Sequence, residues 1–209
     1  MVKKFLLTAF CFVSFSITAN ARSTSYPGGV TLMQHNDYVA NSFYLNYTIN
    51  GKDSVGIISE HERMQNIQFN TLQYTRVLKR WNQENSQGNL YLHSGVGGAE
   101  INNSFKNGGF GSLEADWENR RYYVAYKGSV TKLEGQNKWY RQMARVGIAP
   151  YIGGYEDLQT WFILQVSHTP QQQDNLVTTP MVRMFKDSYL VEFGVADNKT
   201  ALFNFMTFF

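Results

Sequence analysis

The chain ends with Ala201-Leu202-Phe203-Asn204-Phe205-Met206-Thr207-Phe208-Phe209, a stretch whose side chains alternate with a period of two residues. Successive side chains of a β-strand point to opposite faces, so every second residue shares a face. The face on which the chain stops carries Ala201, Phe203, Phe205, Thr207 and Phe209. The stretch therefore predicts a final β-strand with a largely aromatic face.

The same alternation runs through most of the chain, and no window has the 3.6-residue apolar repeat of a helix. Short breaks rich in Asn, Asp and Gly separate the alternating segments, as turns do; one such break is 102–109. The sequence predicts an all-β antiparallel chain of about twelve strands, with ten left open. The predicted strands are 28–36, 38–50, 54–62, 66–80, 88–101, 109–119, 121–133, 137–149, 157–168, 176–186, 188–196 and 200–209.

Each clear segment has one apolar and one polar face. In a transmembrane β-barrel the apolar face meets lipid and the polar face meets the lumen. In a soluble β-sandwich or a lipocalin-like barrel the apolar face points inward. The alternation alone leaves both arrangements open.

Residues 1–21 have the features of a cleaved signal peptide. Lys3 and Lys4 precede an apolar run from Phe5 to Ala19, and 19–21 has the small-x-small form of a cleavage site. The only cysteine, Cys11, lies in this segment and follows Phe10, whereas a lipoprotein signal needs a small residue there. We therefore predict a signal peptide over 1–21 and one thiol-free barrel domain over 22–209.

The charge of the exported domain is close to neutral. The formal charge of +3 includes Lys3 and Lys4, so residues 22–209 carry +1. Nucleic-acid binding through counterion release needs a basic stripe, and the sequence contains no run of like charges. A nucleic-acid partner is therefore not expected.

The aromatic final strand resembles the signal by which bacterial outer-membrane proteins are recognised by their insertion machinery. Phe203, Phe205 and Phe209 would carry the signal, while Thr207 departs from the aromatic residue most often found at that position. The resemblance implies export to the bacterial outer membrane of a Gram-negative envelope. It implies two partners, the barrel-insertion machinery during assembly and outer-membrane lipid afterwards. The fold class expected is a single antiparallel transmembrane β-barrel with short turns.

The aromatic content of 15% fits this expectation, because membrane barrels carry aromatic girdles at both interfaces. The candidate girdle residues are Tyr122, Tyr126, Trp139, Tyr140, Tyr151, Tyr155, Trp161, Tyr189 and Phe209.

Longer stretches resemble a family of uncharacterised proteobacterial proteins with signal peptides. They are 78–82, 86–92, 115–123 and 144–151. The resemblance implies a loose association with heavy-metal efflux gene clusters and no particular activity.

The polar faces of three consecutive predicted strands carry many charges. Because neighbouring antiparallel strands bring opposed residues close together, acidic and basic groups can pair across them. One interpretation is an internal salt-bridge network that fills a narrow barrel, and the other is a charged constriction that selects solutes. The lumen charge cluster comprises Glu114, Asp116, Glu118, Arg121, Lys127, Arg141, Arg145, Arg183 and Glu192.

The sequence offers little support for an enzyme or a metal site. His93-Ser94 and Ser167-His168 are adjacent pairs, and adjacent strand residues face opposite ways, so neither forms a nucleophile–base contact. The histidines of the exported domain are isolated, and no cofactor, metal ligand set or catalytic residue is predicted. Three functions stay open: a narrow, porin-like pore, a plugged non-conducting barrel with a structural or envelope-stress role, and a soluble periplasmic barrel that binds an apolar ligand.

Overall fold

The computed structural model describes residues 25–101, 103–154 and 156–209, so the predicted signal peptide lies outside the described residues. The described chain forms twelve β-strands, which confirms the larger of the two predicted strand numbers. The strands are β1 Val30–Asn36, β2 Ala40–Thr48, β3 Asp53–Glu62, β4 Ile67–Asn82, β5 Ser86–Ile101, β6 Ser104–Asn119, β7 Tyr122–Leu133, β8 Trp139–Ile148, β9 Gln159–His168, β10 Leu176–Lys186, β11 Tyr189–Val195 and β12 Ala201–Phe208.

The strands close into one antiparallel barrel in which each strand pairs with its sequence neighbours and β1 pairs with β12. The closing seam continues past β12. Val30 N donates to Phe209 O at 3.0 Å, and Phe209 N donates to Val30 O at 2.9 Å. Closure leaves no strand edge unpaired, which is what a sheet needs in a medium that cannot satisfy backbone groups.

The exterior of the barrel is apolar. Leu72, Val96 and Phe162 are 65%, 68% and 53% exposed, whereas inward-facing Thr75 and Gln165 are buried. The alternation left two arrangements open, and this is the transmembrane one. The inverted, soluble arrangement is wrong. Among the described residues, no helix is long and apolar enough to span a membrane.

The turns form two mouths. The terminal mouth, near both chain ends, has the connections 49–52, 83–85, 120–121, 149–158 and 187–188; the distal mouth has 37–39, 63–66, 102–103, 134–138, 169–175 and 196–200. Asn and Asp side chains shape several of them: Asn50 Oδ1 accepts from Lys52 N and Asp53 N, and Asp37 Oδ1 accepts from Val39 N and Ala40 N. These are the local contacts that make Asn and Asp favourable in turns.

The predicted break over 102–109 is wrong, because β6 already begins at Ser104. The glycines that suggested a turn instead make room for neighbours within the sheet. A Cβ on Gly108 would lie 2.5 Å from Leu133 Cδ2, and one on Gly95 would lie 2.2 Å from Phe110 Cε1. Glycine in a strand commonly marks such close packing.

Two of the expected girdle residues face the wrong way. Trp139 packs against the interior cluster of Ile67, Phe69, Ala99 and Leu133, and Trp161 contacts Tyr123 edge-on at 6.4 Å inside the barrel. Tyr122, Tyr126, Tyr140 and Tyr189 are exposed on the exterior, and Tyr155 lies outside the described residues.

Candidate functional site

The lumen contains a cavity of about 1040 Å³ that extends from one mouth to the other. Glu84 and Arg120 line it at the terminal mouth, and Tyr38 and Gln172 line it at the distal mouth. Polar residues of the strand walls, such as Gln73 and Ser112, and apolar ones, such as Phe69 and Met206, line the stretch between them. The cavity is therefore a candidate path through the barrel.

One side of the lumen holds a cluster around Glu114 on β6. Lys127, directly opposite on β7, places Nζ 3.2 Å from Glu114 Oε2. His93 Nε2 lies 3.3 Å from the same oxygen, without hydrogen-bond geometry. His93 Nδ1 shares a hydrogen bond of 2.9 Å with Thr75 Oγ1. We call these four residues the Glu114 cluster.

The other side holds a larger network around Glu192. Arg183 donates through Nε to Glu192 Oε1 at 2.7 Å, and Asn204 Nδ2 donates to Oε2 at 2.7 Å. Arg145 Nη1 lies 3.2 Å from both carboxylate oxygens, and its Nε donates to Gln165 Oε1 at 2.8 Å. These five residues, the Glu192 cluster, come from the five consecutive strands β8 to β12.

The Arg183 guanidinium also lies over the ring of Tyr123, 4.4 Å from its centroid. The side chain of Glu192 is only 3% exposed, and those of Arg145 and Arg183 are 13% and 12% exposed. Paired and hydrogen-bonded in this way, the buried charges tie neighbouring strands of the wall together.

The remaining predicted lumen charges are distributed differently from the expected three-strand network. Asp116 accepts a hydrogen bond from Asn89 Nδ2 at 2.6 Å, and Glu118 lines the cavity. Arg121 lies in the turn between β6 and β7, so its predicted place on the strand is wrong. Arg141 and Arg145 do not join the β6 acids as expected, because they contact Asp37 and Glu192 instead.

Three contacts cross the distal mouth. Arg141 Nη2 lies 3.5 Å from Asp37 Oδ1, the hydroxyls of Tyr38 and Thr169 are 3.3 Å apart, and Gln172 Nε2 donates to Glu62 Oε1 at 3.1 Å. We call this set the distal bridge. Burial raises the pKa of Tyr38 above its usual value, so its hydroxyl stays protonated and able to take part.

The sequence did not single out His93, Thr75, Gln165, Asn204 or Asp37 as parts of these clusters. Alternation assigned some of them to the polar face, but neutral polar residues gave no further signal. Asp37 falls in the gap between the first two predicted strands, and its contact with Arg141 depends on the curvature of the barrel.

Neither cluster has the features of a catalytic or metal centre. Thr75 is fully buried, so the hydrogen bond to His93 does not present a nucleophile to the cavity. Within the described ranges, no group of three or more His, Cys, Asp or Glu side chains could hold a metal ion.

The predicted assembly residues lie at the seam. Phe203 is exposed on the exterior, Phe205 stacks on Tyr189 with centroids 6.5 Å apart, and Phe209 is 63% exposed. Their role as a signal remains a prediction.

A closed antiparallel barrel with charged clusters in its lumen and an apolar exterior has the features of the class of membrane β-barrel proteins. No family model matches the chain, and no curated protein matches it. Among solved structures, the chain is similar to OmpTdeltaL8, a loop L8 deletion mutant of OmpT, an outer membrane protein of Vibrio cholerae. The identity is 9%, the TM-score is 0.33, and 87% of this chain and 96% of that chain are covered. The class of membrane β-barrel proteins is therefore assigned from the geometry of this barrel and not from the similarity.

Proposed function

We propose that this protein resides in the bacterial outer membrane and forms a narrow pore for small polar solutes. The observation that carries the proposal is the continuity of the lumen cavity, which is lined by connections of both mouths. A barrel of twelve strands is intermediate between small barrels filled by side chains and larger porins with an open channel.

The membrane location is supported by the exterior. Soluble monomers rarely expose a contiguous apolar surface of more than a few hundred Å². Here exposed apolar side chains surround the barrel, including Leu72 on β4, Leu113 on β6, Phe162 on β9 and Phe193 on β11. The same surface argues against a soluble barrel that binds an apolar ligand.

The two charged clusters of the lumen have different roles in this proposal. The Glu192 cluster is buried and fixes the shape of one wall. Lys127 and Glu114 have side chains that are 35% and 25% exposed, so a passing solute contacts them. Because a paired positive and negative charge favours neither cations nor anions strongly, we expect weak ion selectivity.

A second candidate is a closed barrel with a structural role in the envelope. The distal bridge favours it, because the bridge narrows one mouth. A link to metal-efflux components and recognition by the insertion machinery remain expectations from resemblance.

Three measurements test the proposal. Purified protein should migrate differently in a detergent gel before and after heating, as membrane barrels do, and envelope fractionation should place it in the outer membrane. In planar lipid bilayers the folded protein should then give discrete conductance steps. Folded protein that remains silent would contradict the pore and leave the closed barrel, whereas buffer-soluble protein without heat-modifiable migration would contradict both.

A further inference from the structure

The distal bridge joins opposite walls of the barrel. In the closed strand order, the connection that holds Asp37 and Tyr38 follows β1, and β8, which carries Arg141, is five strands away from β1 in one direction. Glu62 ends β3, and Gln172 lies in the connection after β9, which is six strands from β3. These contacts therefore pass over the opening and not along its rim.

The terminal mouth is built differently. There Arg120 Nη2 donates to Gly153 O at 2.8 Å, which joins connections that flank the neighbouring strands β7 and β8. This contact runs along the rim and does not cross the opening. The two mouths of the cavity thus differ in what lies across them.

The distal bridge consists of polar contacts that are only partly buried. The side chains of Arg141 and Asp37 are 30% and 24% exposed, in contrast to 3% for Glu192. A partly exposed ion pair is held less firmly than a fully buried one and is weakened further by salt. The bridge can therefore break while the backbone ladder of the barrel wall stays intact.

We propose that the distal bridge is a gate that narrows the lumen at the distal mouth and widens it by release of the Asp37–Arg141, Tyr38–Thr169 and Glu62–Gln172 contacts. This inference rests on the proposed pore function and adds its regulation. Asp37 holds its own turn through Val39 N and Ala40 N, so the turn keeps its shape when the contact to Arg141 is lost. The turn that carries Asp37 then keeps its shape while the gate opens.

The first test is the double variant Asp37→Asn/Arg141→Gln in planar bilayers. Asn retains an oxygen that can accept from the turn amides, while the charge contact across the mouth is removed. We expect the open probability to rise about two- to fivefold, the range that an exposed ion pair allows. Arg63→Gln is the matched control: Arg63 lies at the same mouth, but its Nη2 donates to Asn41 on a neighbouring strand, so its loss should not open the pore.

The second test locks the gate. The only cysteine of the chain is Cys11 in the predicted signal peptide, so Tyr38→Cys/Thr169→Cys introduces one pair of thiols. A reducible bifunctional thiol reagent should lower the conductance of this variant, and a reductant should restore it. Each single cysteine variant treated with the same reagent provides the control.

The outcomes separate the gate from the pore. A conducting parent protein whose double variant and cross-linked variant behave like the parent would overturn the gate and leave the pore. A conducting parent whose double variant opens more often, together with a cross-linked variant of lower conductance, would support both. Folded parent and variants that are all silent would overturn both.

Discussion

Glu192 on β11 and Arg183 on β10 are paired directly across neighbouring strands, with Arg183 Nη2 2.6 Å from Glu192 Oε1. Because Arg145 approaches the same carboxylate, one acidic residue compensates two buried guanidinium groups. Glu192→Gln would leave both without their counter-charge. We expect a loss of about 3–5 kcal/mol in the free energy of unfolding.

Urea titration of the barrel reconstituted in lipid vesicles, followed by tryptophan fluorescence, measures this loss. Glu100→Gln is the control, because Glu100 is exposed on β5 and its replacement should change the unfolding free energy by about 0.5 kcal/mol or less. Equal stability of the two variants would show that the Glu192 cluster does not hold the wall.

Lys127→Gln should shift the pore toward cations. The substitution removes a positive charge from the lumen and leaves the Glu114 carboxylate without the contact at 3.2 Å. One unit charge about 4 Å from a passing ion is worth about 1 kcal/mol in water, so the permeability ratio should change by up to about fivefold. The reversal potential in a salt gradient reports the shift, and Lys132→Gln, on the exterior at the distal mouth, should leave it unchanged.

Phe209→Lys should lower the amount of assembled protein in the outer membrane, if the terminal aromatic residue is part of an assembly signal. The backbone hydrogen bonds to Val30 can still form in this variant, so a defect would trace to the side chain. Phe105→Lys is a matched control, because the exposed fraction of Phe105, 66%, is close to the 63% of Phe209. Phe105 lies far from the carboxyl end of the chain. Normal heat-modifiable protein from Phe209→Lys would argue against the signal.

Gly97→Ala should destabilise the barrel by about 1–3 kcal/mol, the usual cost of overpacking. A Cβ at this position would lie 1.9 Å from Asn70 O on the neighbouring strand, so β4 and β5 would have to separate. Gly111→Ala provides the comparison, since a Cβ there meets nothing within 4 Å. Unfolding titrations that gave the two variants the same stability would contradict this account of Gly97.

Alternation and turn composition were sufficient to predict about twelve strands, with ten left open, and to separate the two faces of each strand. They also placed Glu114 and Lys127 on neighbouring strands, where the register brings them opposite each other. Such features depend only on residues that are near neighbours in the sheet.

The contacts of the arginines could not be predicted in the same way. Arg141 and Arg145 lie opposite Ser129 and Ala125 on β7, and the β6 acids are one strand further away. Their long side chains instead reach carboxylates that barrel curvature brings near, on β11 and in the β1–β2 turn. This curvature arises from the closure of all twelve strands. A local sequence pattern contains no information about it. Gly108 was misread for a related reason, because its neighbour Leu133 is on another strand.

The pairing of Val30 with Phe209 places the two ends of the described chain at one opening, so a fusion at either end of the barrel domain reports from the same side of the membrane. A reporter for the opposite side needs an internal insertion. Gly135 suits this purpose, because it lies in the connection 134–138 with φ of 74° and has no atom within 4 Å of a Cβ position. An epitope inserted there, paired with one at the amino end of the barrel domain, would report the orientation of the barrel through antibody access to intact cells.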